Sequence, residues 1–293
     1  MIPGLDPTVD YAFKKVFGSE ENVSVLLDLL VAVLQPPPHQ QLVGLDIRNP
    51  FNDKDGVDDK LSVLDIKARD ARGQQYNVEI QMVGTRIYPQ RVLYYWAVLH
   101  SQQLRQGTDY GVLQATISIS FVNSVLFPQV ADHHLDFQLR NPRHPELIFC
   151  PQQSIHVVEL PKFHKTAEEL TDPLDVWCYF LVHGANLDTD NLPAALRTPP
   201  VRRAMEVLAM MTQSELERDR YEARLKFQRD QFSFVKDALA EGLEKGEVLG
   251  RIHLCQRMLK VPLTPRAELL ALPLAELLAR VAALEQQLGV GGP

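Results

Sequence analysis

Apolar and polar positions in the first 122 residues follow two regular periods. Apolar residues recur every three or four positions in residues 21–34 and again in residues 86–104, which predicts a helix in each segment. Three shorter segments alternate apolar and polar residues, as half-buried strands do: residues 41–47, 61–68 and 75–82. Residues 112–122 are β-branched and almost continuously apolar, which is typical of a strand buried on both faces. The predicted order is therefore a helix, three consecutive strands, a helix and a strand.

The pattern changes near residue 163. Before this point, three more short segments have the composition of strands: residues 134–140, 146–149 and 155–160. After it, apolar positions at helical spacing predict helices at residues 167–183, 201–211 and 214–241. We expect the amphipathic helix of the last 30 residues to dock on the body of the protein or on a second copy of the chain, which would make a homo-oligomer through the C-terminal helices.

This change in pattern predicts three parts. Residues 1–165 form an α/β domain, residues 166–241 a helical region, and residues 242–293 a linker helix followed by the amphipathic helix. The linker helix contains Gly242, Gly246 and Gly250, and each glycine weakens an isolated helix by about 1 kcal/mol. We therefore expect this linker to be flexible or to depend on a partner.

Composition excludes several classes of protein. The longest apolar stretch, residues 25–34, is too short to span a membrane and contains Asp28. The first residues lack the basic start and apolar stretch of a secretory signal, and the three cysteines form no C-x-x-C pair, so we expect a cytoplasmic protein without a disulfide framework. The formal net charge is −7, and any contact with nucleic acid must therefore be local.

Two of the predicted strands carry polar side chains that could share a site. Asp65 and Lys67 lie on one face of the second strand, and Glu79 and Gln81 lie on one face of the third. A hairpin brings such faces together, and two carboxylates with nearby nitrogen donors suit Mg²⁺ and the hydrolysis of a phosphodiester. The same alternation would equally produce a solvated strand face with paired charges, so spacing alone leaves both interpretations open.

Longer motifs connect this sequence to a known family. Residues 5–18, LDPTVDYAFKKVFG, are similar to D-P-x-x-D-x-x-F-K-x-x-F-G, the start of the Rpn family of recombination-promoting nucleases and transposases. Further matches lie between there and residue 250: Leu64 to Ala68, Val78 to Gln81, Arg91 with Tyr94 and Tyr95, Trp177 with Tyr179 to Leu181, Tyr221 with Glu222, Lys226 and Asp230, and the three glycines of the linker. The order of elements resembles the core of the PD-(D/E)xK nuclease superfamily, to which this family belongs.

The resemblance implies a fold and a set of site residues. The fold would be a restriction-endonuclease-like α/β core of a helix, a three-strand meander, a helix and a strand, followed by a mostly helical C-terminal region. Asp65 and Glu79 would bind Mg²⁺, or Mn²⁺ in its place, and Gln81 would stand where the superfamily usually has lysine. Because an amide supplies no positive charge, we expect Lys67 or Lys14 to provide it. Asp10, in the opening motif, would lie near the active site as a third acid.

Substrate contacts are expected in a short basic segment. Residues 84–106 contain three arginines and no lysine or acidic residue, and Arg86 and Arg91 follow closely on Glu79, so they are the best candidates to bind a phosphate backbone. The resemblance thus implies a Mg²⁺-dependent DNA endonuclease linked to recombination, mobile elements or defence. The alternative is a non-catalytic interaction or DNA-binding protein that retains a degenerate nuclease fold.

Overall fold

The computed structural model of this chain describes residues 1–48, 66–82, 84 and 86–289. The described chain contains two units, Met1–Gln228 and Arg229–Pro293, each with its own core. The first unit contains the complete sheet, and the candidate site is built there. The division predicted at residues 165 and 241 stays a prediction.

A six-stranded mixed sheet forms the centre of the first unit, in the order β1-β2-β3-β4-β6-β5. Its strands are β1 (Leu45–Ile47), β2 (Ile66–Asp70), β3 (Gln75–Gln81), β4 (Thr116–Val122), β5 (His134–Phe137) and β6 (Gln153–Glu159). The first three strands form the predicted antiparallel meander, whereas β3, β4 and β6 are parallel and β5 is antiparallel to β6. The predicted α/β arrangement is confirmed, although residues 61–65 of the second predicted strand lie outside the described residues.

The prediction of a strand at residues 146–149 is wrong. Only one bridge forms there, between Arg140 and Ile148. Pro142 and Pro145 lie in the intervening turn, and proline has no backbone N–H with which to extend a ladder. Phe149 is 85% exposed, so the apolar residues of this segment do not mark a buried strand.

Eight α-helices accompany the sheet in the described residues. They are α1 (Asp10–Phe17), α2 (Val23–Leu34), α3 (Tyr88–Ser101), α4 (Pro173–His183), α5 (Pro199–Gln213), α6 (Glu215–Met258), α7 (Arg266–Leu270) and α8 (Leu274–Leu288). The helices predicted up to residue 241 are therefore present, with ends that differ by a few residues. The prediction of a single amphipathic helix in the last 30 residues is wrong, because α7 ends at Leu270 and Pro273, which cannot continue a helix, precedes α8. The largest difference is at α6, which continues to Met258 through all three glycines of the predicted linker. No atom lies within 4 Å of where a Cβ would stand at any of them, so these glycines do not serve close packing.

Helices cover both faces of the sheet. On one face, Tyr76, Val78 and Ile80 join a large core with α1, α2, α4 and α5. On the other face, Tyr88 and Val92 of α3 join a smaller apolar cluster with residues of β4 and β6. All seven residues of β4 are buried, as the apolar run predicts for a strand covered on both sides.

The second unit has a small helical core. Val248, Leu249 and Ile252 of α6 pack with Leu269 of α7 and with residues of α8. Arg251 donates to Glu285 across this unit at 2.6 Å. In neither unit does any described helix have both the length and the apolar character needed to cross a membrane.

Candidate active site

The candidate site lies on the face of β3 that α3 covers. Asn77, Glu79 and Gln81 share this face because side chains alternate along a strand, and Asn77 and Glu79 are each only 3% exposed. In the neighbouring parallel strand β4, Ser118 pairs with Asn77 and Ser120 with Glu79. A row of buried polar side chains therefore runs across a sheet whose other face is apolar.

Two donors hold the carboxylate of Glu79. The side-chain amide of Asn77 donates to Oε1 at 3.1 Å, and the hydroxyl of Tyr88 donates to Oε2 at 3.3 Å. Burial raises the pKa of Tyr88, and the negative charge of Glu79 raises it further, so this hydroxyl remains a donor at neutral pH. Because each carboxylate oxygen has two lone pairs, Glu79 is oriented by the protein and can still bind a further partner.

A guanidinium lies beside the residue that replaces the usual lysine. Nη2 of Arg91 donates to Oε1 of Gln81, and Cζ of Arg91 lies 4.9 Å from the ring centroid of Tyr88. Arg91 is three residues after Tyr88 in α3, which places both side chains over the same end of β3. Tyr88 thus contacts both Glu79 and Arg91, and Arg91 in turn contacts Gln81.

The other predicted cations are placed differently. Lys67 lies in β2 opposite Asn77, on the same face as Glu79, and is half-buried. Arg86 is exposed in the turn before α3. Lys14 belongs to α1, which packs on the opposite face of the sheet from Glu79, as the contact of Phe13 with Phe121 shows.

Asp10 is also part of α1. It is 4% exposed, and its Oδ2 lies 4.0 Å from Nε of Arg224 in α6. Burial raises the pKa of Asp10, and the positive charges of Lys14 and Arg224 oppose this effect. The structure therefore places Asp10 beside the positive charges of Lys14 and Arg224. Its predicted role as a third acid stays a prediction.

The donor atoms of this face suit a hard divalent cation. Oδ1 of Asn77 and Oγ of Ser118 are buried and have no hydrogen-bond partner among the described residues. Together with the carboxylate of Glu79 they give a set of oxygen atoms, the ligands that Mg²⁺ prefers. Asp65, the second predicted metal ligand, lies outside the described residues, and no group of three His, Cys, Asp or Glu side chains within them is arranged to hold a metal ion.

Sequence analysis overlooked four residues of this site. Asn77 precedes Glu79 by two positions, so strand alternation alone could have placed it on the same face. Tyr88, Ser118 and Ser120 carried no such signal, because their positions beside β3 depend on how α3 and β4 pack against that strand.

Comparisons with known proteins agree with this architecture. The model of a family described as PD-(D/E)XK nuclease family transposase matches residues 7–238, well over half of the chain. The chain therefore belongs to this family. No curated protein and no solved structure matches it.

Proposed function

We propose that this member of the PD-(D/E)XK nuclease family transposases is a metal-dependent endonuclease that hydrolyses phosphodiester bonds in DNA. Glu79 carries the proposal, because a buried carboxylate held by Asn77 and Tyr88 is costly unless it serves a partner. Membership of a nuclease and transposase family supports DNA as the partner. A role in recombination, in mobile elements or in defence belongs to the same proposal.

Asp65 and Glu79 would hold the metal, with Mg²⁺ as the first candidate and Mn²⁺ as the second. The unpartnered oxygen of Asn77 adds a ligand of the same chemical type. When bound, such an ion activates water and neutralises charge that develops on the phosphate. The residues of the chain orient these groups: Tyr88 fixes Glu79, and the sheet fixes Asn77.

Arg91 is the best candidate for the positive charge that Gln81 cannot supply. Its guanidinium contacts Gln81 directly, whereas Lys67 pairs with Asn77, four strand positions from Gln81, and Lys14 belongs to a helix on the other face. Arginine also binds phosphate through two parallel donors, so Arg91 can both replace the lysine and hold the substrate. Lys67 and Lys14 remain the candidates that the sequence alone provides.

Conversion of supercoiled plasmid at low salt tests the proposal. The wild type should nick the plasmid with Mg²⁺ or Mn²⁺ and not with chelator, and Glu79→Gln should abolish nicking. Glu146→Gln is the matched control, since Glu146 is an exposed glutamate outside the site. Absence of nicking with either metal would favour the non-catalytic interaction protein.

The same assay separates the three cations. Arg91→Ala should reduce metal-dependent nicking at least tenfold, and Lys67→Ala and Lys14→Ala should each have a smaller effect. Arg202→Ala is a control for the loss of an exposed arginine, because Arg202 belongs to α5, which packs on the opposite face of the sheet from Glu79. A larger loss with Lys67→Ala than with Arg91→Ala would transfer the role to the lysine.

A further inference from the structure

An apolar cavity lies next to the candidate site. It has a volume of about 320 Å³ and lies between α3, the strands β5 and β6, and the segment that follows β4. Its walls include the side chains of Tyr88, Val92, Phe127, Phe137, Ile155 and Val157. Phe127 and Phe137 contact each other with ring centroids 5.2 Å apart, so one wall is aromatic.

Tyr88 belongs to both the cavity and the site. Its ring lines the cavity while its hydroxyl donates to Glu79. Arg91 lies over the same ring and contacts Gln81. Tyr88 therefore connects the apolar cavity to the charged groups of the site.

The wall formed by the segment after β4 is fixed by buried polar groups. The backbone N–H of Phe127 donates to Oε1 of Glu159 at 2.9 Å, and Nζ of Lys162 donates to the carbonyl of Phe127 at 2.9 Å. Glu159 is fully buried and forms an ion pair with Lys162. The cavity is thus preformed, as binding sites for small aromatic groups usually are.

We propose that this cavity binds one unpaired nucleobase of the DNA substrate, next to the phosphate that the active site attacks. The inference rests on the proposed function and deepens it. A nucleotide has a charged phosphate and a flat aromatic base, and here a guanidinium and an aromatic apolar cavity both adjoin Tyr88. Proteins that bind single strands stack bases on aromatic side chains in the same way.

Charge favours a nucleotide over an apolar peptide or a second copy of the chain. Arg91 is exposed and contacts Tyr88 of the cavity wall, Arg86 is exposed two residues before Tyr88, and residues 84–106 contain no acidic side chain. The chain as a whole has a net charge of −7, so a second copy would bring an acidic surface without the regular spacing of phosphates. A polyanion that also carries aromatic groups fits both properties of this surface.

The polar groups of the cavity predict tolerance of all four bases. Gln153 already accepts from the backbone N–H of Leu139 at 3.0 Å, and Gln138 donates to Asp136 and accepts from Arg140. These bonds hold both amides within the protein, so we expect the pairing state of the base, rather than its identity, to decide binding. A paired base must first leave the helical stack, whereas an unpaired base can enter directly.

Binding to oligonucleotides in chelator tests the inference without cleavage. The probes are a fully paired duplex and the same duplex with one bulged 2-aminopurine, and affinity is measured by fluorescence anisotropy at low salt. We expect the wild type to bind the bulged duplex at least tenfold more tightly. The bulged base should also become protected from quenching by acrylamide.

Two leucines provide matched variants. Leu139 lines the cavity and is 52% exposed, whereas Leu147 is 57% exposed and does not line it, so aspartate is tolerated by the fold at either position. Leu139→Asp should abolish the preference for the bulged duplex and the protection of the base, while Leu147→Asp should keep both.

The outcomes separate this inference from the proposed function. Equal binding of both duplexes by the wild type, together with metal-dependent nicking, would overturn the base site and leave the nuclease intact. Failure of the wild type to bind either duplex would overturn the base site, and the absence of metal-dependent nicking as well would overturn the proposed function. A preference for the bulged duplex that survives Leu139→Asp would also overturn the base site. The same conclusion would follow if the wild type were a dimer that Leu139→Asp dissociates without changing the binding of DNA.

Discussion

His156 should make the protein less stable as the pH falls below about 6.5. This residue of β6 is 6% exposed, and its Nδ1 lies 3.0 Å from Nε2 of His134. Its Nε2 lies 2.9 Å from Oγ of Ser154, which donates to Asp136 at 3.0 Å. One arrangement of hydrogens satisfies every contact: His134 donates to His156, His156 to Ser154, and Ser154 to Asp136. In this arrangement both imidazoles are neutral.

Burial lowers the pKa of His156 from 6.5 to about 4, against the attraction of Asp136. Between these two values the unfolded chain binds a proton that the folded chain does not, so the free energy of unfolding falls as the pH falls. A proton that only the unfolded chain binds lowers the free energy of unfolding by about 1.4 kcal/mol for each pH unit. From pH 7 to pH 5 the loss should therefore be about 2 kcal/mol, and it should approach about 3 kcal/mol below pH 4.

Urea denaturation at pH 7, 6 and 5 measures this loss. Both tryptophans, Trp96 and Trp177, belong to the first unit, so their fluorescence reports on the unit that contains His156. The wild type should lose about 2 kcal/mol more than His156→Gln between pH 7 and pH 5, because carboxylates contribute equally to both proteins. His39→Gln, a change at an exposed histidine, should follow the wild type.

Equal pH dependence of the wild type and His156→Gln would refute this reasoning. If the variant does not fold at pH 7, titration of the His156 ring protons in the wild type by NMR decides instead. A pKa near 6.5 for His156 would then be inconsistent with a buried, neutral imidazole.

Two further predictions separate catalysis from stability. Tyr88→Phe keeps the ring and removes the hydroxyl that contacts Glu79. Plasmid nicking should therefore fall about tenfold, while the preference for a bulged base stays unchanged. Nicking at the wild-type rate would contradict this prediction. Trp177→Phe removes the donor to Asp28 at 2.9 Å and leaves a void among Phe17 and Phe180. The free energy of unfolding, measured by urea denaturation followed by circular dichroism, should therefore fall by about 2 kcal/mol. A change below about 0.5 kcal/mol would count against this packing role.

Periodicity in the sequence was sufficient for the main architecture. Alternation predicted the meander and placed Glu79 and Gln81 on one face, and the continuous apolar run identified β4 as a strand with two covered faces. These features depend on local spacing, which the sequence contains directly. The prediction at residues 146–149 failed because apolar composition does not show how far a segment can pair, and pairing with residues 139–141 stops at one bridge where Pro142 and Pro145 form the turn.

The chemistry of the site was less accessible to sequence analysis. The family resemblance implies that a positive charge is missing at Gln81. Sequence analysis proposes Lys67 for this charge because it shares a strand face with Asp65, or Lys14 because it belongs to the opening motif, and it assigns Arg91 to the substrate. Its contact with Gln81 depends on the packing of α3 against β3, a property of the folded protein.

The first turns of α3 present three side chains with different proposed roles on one face of the helix. Tyr88, Arg91 and Val92 are separated by three and four positions, so they share the face that packs on the sheet. Tyr88 orients Glu79, Arg91 brings a charge to Gln81, and Val92 forms part of the cavity wall. A displacement of α3 should therefore weaken the proposed metal-binding acid, the proposed phosphate contact and the proposed base site together. Substitutions at Glu79 or Leu139 should instead affect one function each, and this difference makes the three roles separable by experiment.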